Sequence, residues 1–198
     1  MKRMKNNDMA VSPVVGVMLM LVVTIIIAAV VSGAAGGLVG DGTQKAPTLS
    51  MDVRISNSNS SPGFTATVTG VSDPIQTKDI KIVTSYKTTD KDGSQVIGGN
   101  TSVAGSKAPW GFGAGVTGTQ RLGDQFNNPN AMFGNYTLTS GTGLVAIKDP
   151  VSGSVDDIQT VLGKNWKNLK TGDVVTVSVV HIPSGKMIFQ KDVAVTGV

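Results

Sequence analysis

The chain has no cysteine, no glutamate and a single histidine, His181, among its 198 residues. Without cysteine there is no disulfide framework, no thiolate-held zinc or iron–sulfur centre and no thiol nucleophile. One histidine excludes a two-histidine metal site, and a Ser-His-Asp triad would have to be built on His181 alone. Charge is scarce too, at 15% of residues against roughly 25% in an average soluble protein. The net charge of +4 includes +2 from Lys2, Arg3, Lys5 and Asp8. The fourteen lysines and three arginines are dispersed along the sequence rather than gathered in a basic stripe, which argues against a nucleic-acid partner.

What is present is unevenly spread. Met9 to Gly40 is 32 residues without a charge or a histidine, and 23 of them are hydrophobic. Asp41 to Val198 carries 34 Ser and Thr and 20 of the 25 glycines. The chain therefore reads as a basic, polar start, then an apolar segment from Met9 to Gly40, then a Ser/Thr/Gly-rich domain, residues 41–198, long enough for one core.

The apolar segment admits three physical readings. A secretory signal peptide would end at a small-residue site such as Ser32-Gly33-Ala34, although Val14 to Val31 is long for a signal core of about 7–15 residues. A plain membrane anchor needs about 20 apolar residues. Pro13 to Gly36, as a helix of about 36 Å, suffices, with the basic start held on the cytoplasmic side. A packing helix would in addition use Ser12 as N-cap, Pro13 in the first turn, and rows of small residues at spacing four. Ala28, Ser32, Gly36 and Gly40 form one row, and Ala29, Gly33 and Gly37 the next. Such rows let helix backbones approach closely where no hydrophobic effect drives association, though they also mark a helix fraying into a linker.

The run Asp8-Met9-Ala10-Val11-Ser12-Pro13-Val14-Val15-Gly16-Val17-Met18-Leu19-Met20 resembles the N-terminus of archaeal type IV pilins. The likeness covers Lys2 to about Val31. A weaker one joins Leu169–Val174 to Pro183–Ile188, similar to the strand–turn–strand that closes many pilin domains. The resemblance implies a leader, residues 1–9, cut between Met9 and Ala10 by a membrane-embedded prepilin peptidase. It also implies a retained helix, residues 10–40, that first anchors the subunit in the membrane and then packs in a filament core. The implied partners are copies of the chain itself in a helical filament, an assembly ATPase and its membrane platform. The implied place is the cell membrane as precursor and the cell surface as filament, with surface adhesion the expected role. Alternatives are a membrane-anchored extracellular binding domain, an adhesin or minor pilin, using the aromatic stretch around Trp110 and Phe112, and an archaellin-like motility subunit.

Beyond Asp41 the apolar residues turn to period two. Leu49, Met51, Val53 and Ile55 share a face, as do Phe64, Ala66 and Val68. So do Ile80, Ile82, Thr84 and Tyr86, and Val175, Val177, Val179 and His181, followed by a Pro183-Ser184-Gly185 turn and a return strand from Met187 to Val195. Short strands between Gly, Asn, Asp and Pro clusters predict a β-sandwich of immunoglobulin-like kind, making the whole chain α+β. Val155 to Leu162 reads as a helix with Asp156 and Asp157 as dipole charges in its first turn. Gly105 to Asn130 reads as a long ordered loop.

No motif carries catalysis. Asp90-Lys91-Asp92-Gly93 looks like a calcium-loop start but lacks the closing glutamate, so a hairpin turn is expected. Gly113-Ala114-Gly115-Val116-Thr117-Gly118 matches G-x-G-x-x-G without the strand-to-helix context a dinucleotide needs. The expectation is a non-enzymatic protein without cofactor or metal. Asn59, Asn100 and Asn135 open sequons for N-glycosylation.

Overall fold

The structure is a computed structural model and describes residues 15–28, 45–57, 63–119, 128–147 and 157–197. The chain divides into two compact units, Met1–Thr43 and Gln44–Val198. In the first, residues 15–28 form a helix, α1. In water its many β-branched Val and Ile residues are mediocre helix formers. In an apolar environment a helix satisfies every backbone group within the segment, and that requirement outweighs propensity.

The described residues of the second unit form eleven strands. They are β1 Leu49–Ser56, β2 Phe64–Val71, β3 Ile75–Gln76, β4 Ile80–Thr89, β5 Gln95–Gly98, β6 Thr101–Ser102, β7 Trp110–Gly113, β8 Thr137–Leu138, β9 Thr142–Ala146, β10 Val174–His181 and β11 Lys186–Thr196. One short helix, α2, spans Asp157–Leu162. The main sheet runs β5-β4-β10-β11-β1-β2-β9-β7, with β6 also on β4, while β3 and β8 pair separately. The sheet is mixed because β1 pairs with β11 in parallel, whereas its other neighbours are antiparallel. β11 serves two partners in succession. Lys186 to Ala194 pair with β10, and then Val195 and Thr196 pair with Ile55 and Ser56 of β1.

The alternating residues form the core as expected. Leu49, Met51, Val53 and Ile55 of β1, Ile80 and Ile82 of β4, and Val175, Val177 and Val179 of β10 are buried together with Ile158, Val161 and Leu162 of α2. The class is α+β, an N-terminal helix and a mainly β domain on a mixed sheet.

The stretch expected as one loop, Gly105 to Asn130, departs from that reading. Its residues 110–113 are β7, antiparallel to β9. The glycines that suggested a loop make room for rings instead. A Cβ on Gly111 would lie 2.9 Å from Tyr136 ring atoms, and one on Gly143 would lie 2.2 Å from Phe112 Cζ. Glycine within a strand often marks such a close approach. α2 begins at Asp157, with Val155 and Asp156 outside the described residues.

Candidate functional site

Among the described residues α1 carries the longest run of exposed apolar side chains. Val15, Val17, Met18, Leu19, Met20, Leu21, Val22, Val23, Ile25, Ile26 and Ile27 are exposed, from 47% for Val15 to 71% for Met20. Burying a side chain of this size is worth about 1.5–3 kcal/mol, so keeping all of them in water would forfeit on the order of 15 kcal/mol or more. That exceeds the whole stability of a typical domain, about 5–15 kcal/mol. Transfer of these side chains to an apolar environment would recover that free energy. The single polar side chain of α1 is already satisfied, because Thr24 Oγ1 donates to the Leu21 carbonyl at 2.8 Å. A hydroxyl bonded back onto its own helix can enter an apolar medium without an orphaned donor. Among the described residues no helix is long and apolar enough to cross a membrane; the described part of α1 is residues 15–28.

Of the residues expected to matter on this segment, Ala28 is in α1 and exposed. Met9, Ala10, Ala29, Ser32, Gly33, Gly36 and Gly37 lie outside the described residues, as does Asn59. The other two sequon asparagines are exposed on the β-domain. Asn100 Nδ2 donates to the Thr160 carbonyl at 2.7 Å and Asn135 Nδ2 to the Pro129 carbonyl at 2.8 Å.

The aromatic stretch does not form a binding surface of the expected kind. Trp110 is only 5% exposed. Its Nε1 donates to Asp157 Oδ2 at 2.7 Å, and Lys107 Nζ sits 5.9 Å from the ring centroid and 3.4 Å from Asp157 Oδ1. Phe112 is half-buried over Gly143. Both rings are committed to packing, because β7 presents them to the core rather than to solvent. Asp157 correspondingly does more than complement a helix dipole; its buried carboxylate ties α2 to β7. Sequence reasoning missed this link, since nothing local to residue 157 signals a partner 47 positions earlier.

The remaining motifs resolve into turns. Asp90 Oδ1 accepts from the Asp92 and Ser94 backbone N–H groups at 3.0 Å each, and Gly93 has φ +81°, so the segment is the β4–β5 hairpin turn. Within the Gly113–Gly118 pattern the chain forms turns and no helix, and residues 120–127 lie outside the described residues. His181 is buried at the end of β10, with Nδ1 2.9 Å from Ser184 Oγ in the turn to β11. The β10–β11 hairpin itself is the strand–turn–strand expected near the C-terminus. Among the described residues no group of three or more His, Cys, Asp or Glu is placed to hold a metal ion. Burial shapes both tyrosines: it pushes the Tyr86 hydroxyl up to about 12 and that of Tyr136 well above the usual 10.

Residues 9–51 match the family Archaeal Type IV pilin, N-terminal. The start of the chain is thus similar to the N-terminal region of archaeal type IV pilins. No curated protein matches the sequence. The matched segment takes in α1 and reaches Met51, the third residue of β1. The family signature therefore covers the apolar helix and the entry into the sheet, while the rest of the β-domain lies beyond it.

Proposed function

We propose that the chain is the structural subunit of an archaeal type IV pilus-like filament, polymerising through α1 and serving surface adhesion. The observation that carries this is the row of exposed apolar side chains on α1, within a segment that matches the pilin N-terminus. The mechanism is a change of surroundings for one helix. As a precursor it would face lipid; in the filament it would face other copies of itself. Lipid and protein interiors are about equally apolar, so the transfer need never expose α1 to water. Small residues at positions 28, 29, 32, 33, 36 and 37 would then set how closely the helices approach. A prepilin peptidase cutting between Met9 and Ala10 and an ATP-driven membrane platform are the partners this scheme requires. We read the β-domain as an extracellular two-layer sandwich, an architecture supported by the alternating burial of β1, β2, β4 and β10 and by β11 passing from one partner strand to another.

The test is electron microscopy of material sheared from cells expressing the chain, with N-terminal sequencing of the protein in it. Filaments whose subunits begin at Ala10 are expected. Gly33→Leu should insert into the membrane normally, because leucine is more apolar, yet reduce filament yield by holding helices apart. Normal filaments from Gly33→Leu would remove the small-residue rows from the scheme. A chain that starts at Ala35, having lost α1, would refute polymerisation through the helix, and an uncut chain that stays in the membrane would favour the anchored binding domain.

A further inference from the structure

β1 and β4 end on the same side of the β-domain. Asn57 follows β1, Thr89 closes β4, and residues 167–171 pass beside them. With Asp90 and Lys91 they line an open depression of about 450 Å3. The chain enters the β-domain at the opposite end of β1, at Leu49, and the eight residues of that strand separate the two ends by about 23 Å. Lysines dispersed in the sequence converge here: Lys91, Lys167 and Lys170 are all exposed and all line the depression.

The wall is fixed before any ligand arrives. The Asn57 amide donates to the Leu169 carbonyl, and the Thr88 hydroxyl lies 2.9 Å from the Asn168 carbonyl and 2.6 Å from Asp173 Oδ2. The Lys170 backbone N–H donates to Asp173 Oδ2 at 2.8 Å, and Lys170 Nζ donates to Thr89 Oγ1 at 2.6 Å, which holds that ammonium at the rim. The two neighbouring acids are occupied with structure. Asp173 closes the turn just described, and Asp90 caps the β4–β5 hairpin through two backbone N–H groups. Among the described residues Lys91, Lys167 and Lys170 form no ion pair. Three ammonium groups and one carboxylate thus face a pre-organised, solvent-filled hollow.

We propose that this depression binds an acidic polysaccharide, with carboxylate or sulfate groups seated among Lys91, Lys167 and Lys170 and sugar hydroxyls against Asn168 and Thr171. Among the described residues that line it none is aromatic, so they offer no platform for stacking nucleic-acid bases. None of them is an arginine either, so they offer no fork to grip phosphate in two places. Each exposed charge contact contributes only about 0.2–1 kcal/mol, which makes a single depression a weak site. The biological reach of the site rests on the filament reading. Identical copies along a filament, meeting a polymer with repeating charges, multiply a weak contact by roughly 10²–10⁴.

The experiment uses the full chain, both detergent-solubilised and unassembled and as sheared filaments, on immobilised dextran sulfate, polygalacturonate, neutral dextran and duplex DNA. The parent chain is expected to bind the two acidic polysaccharides, more weakly between about 0.05 and about 0.5 M salt as screening shortens. Lys91→Gln/Lys167→Gln/Lys170→Gln should lose about tenfold in unassembled binding. Lys45→Gln/Lys78→Gln/Lys186→Gln removes the same charge from other exposed positions and should lose less than twofold. Binding to dextran sulfate alone assigns sulfate esters, and binding to both assigns anionic sugars in general. Equal losses for the two triple variants, no binding to either acidic polymer, or tighter binding to DNA would overturn the proposal. The unassembled chain reads the depression by itself, so absence of filaments with binding intact would refute polymerisation and leave this site standing.

Discussion

Thr77 gives the sharpest energetic test of the β-domain. It opens the 3-10 turn Thr77–Asp79 ahead of β4 and is fully buried. Its hydroxyl donates to the Tyr136 carbonyl at 2.7 Å and accepts from Gly134 N–H at 3.0 Å and Tyr136 N–H at 3.3 Å. Its own backbone N–H also donates to the Tyr136 carbonyl at 2.9 Å. Thr77→Val keeps the shape and removes the hydroxyl. The Tyr136 carbonyl retains the backbone donor, but the Gly134 and Tyr136 N–H groups lose the hydroxyl acceptor. A buried donor without a partner costs about 1–3 kcal/mol, so two of them, less roughly 1 kcal/mol for the extra methyl, give a loss of about 3 kcal/mol. For a domain of this size that corresponds to a midpoint lowered by roughly 6–12 °C. Thr77→Ser keeps the hydroxyl and should lose about 1 kcal/mol. Urea and thermal unfolding of the residue 43–198 fragment measure both, with an unchanged urea slope confirming that stability alone has moved. A valine variant within about 0.5 kcal/mol of the parent, or a serine variant as weak as the valine one, would refute the assignment of this hydroxyl as the hub between β4 and the 133–136 segment.

The two tyrosines of the chain, Tyr86 and Tyr136, are both raised by burial, so the folded state holds their protons at pH values where the unfolded state has released them. Their stabilising contribution is complete below about pH 10 and is lost as pH climbs toward 12 and beyond; tyrosinate absorbance should appear together with unfolding, and a separate earlier rise in a still-folded protein would contradict it. Gly98→Ala would place a Cβ 2.2 Å from Tyr86 Cζ and should cost about 1–3 kcal/mol, whereas Gly70→Ala on β2 meets nothing within 4 Å and should be neutral or slightly stabilising by the same unfolding assay. Equal effects at both positions would remove the steric explanation.

The strands built on strict alternation were legible from the sequence because each buries one face. β1, β2, β4 and β10 show that pattern in their burial, residue by residue. β7 was not legible. Trp-Gly-Phe-Gly has the composition of a loop, and only the rings stacked on Gly111 and Gly143 reveal why a strand tolerates it. The helix of the candidate assembly site was plain from hydropathy and from the Ala10–Met20 run. The lysine-lined depression was hidden for a different reason. Lys91 and Lys167 are 76 residues apart, and only the meeting of the β4 end with the turn after Lys164–Asn168 makes them neighbours. Similarly, Asp157 carried a local signal for a helix start, while its bond to Trp110 depends on tertiary packing alone.

The parallel pairing at the end of β11 has a mechanical consequence. A pull entering at Leu49 along the axis of β1 acts on a strand held by β2 along its length, from Leu49↔Val71 to Ile55↔Phe64, and gripped by β11 at its far end, at Ile55 and Ser56. Those ladder bonds lie across the direction of the load, so they share it and must slip together, whereas a peeled hairpin gives way one rung at a time. β11 then spreads the strain through eight antiparallel pairs with β10 into β4 and the core behind it. In the proposed filament, a load carried along β1 would thus meet the sheet in shear, the orientation in which a sheet resists longest.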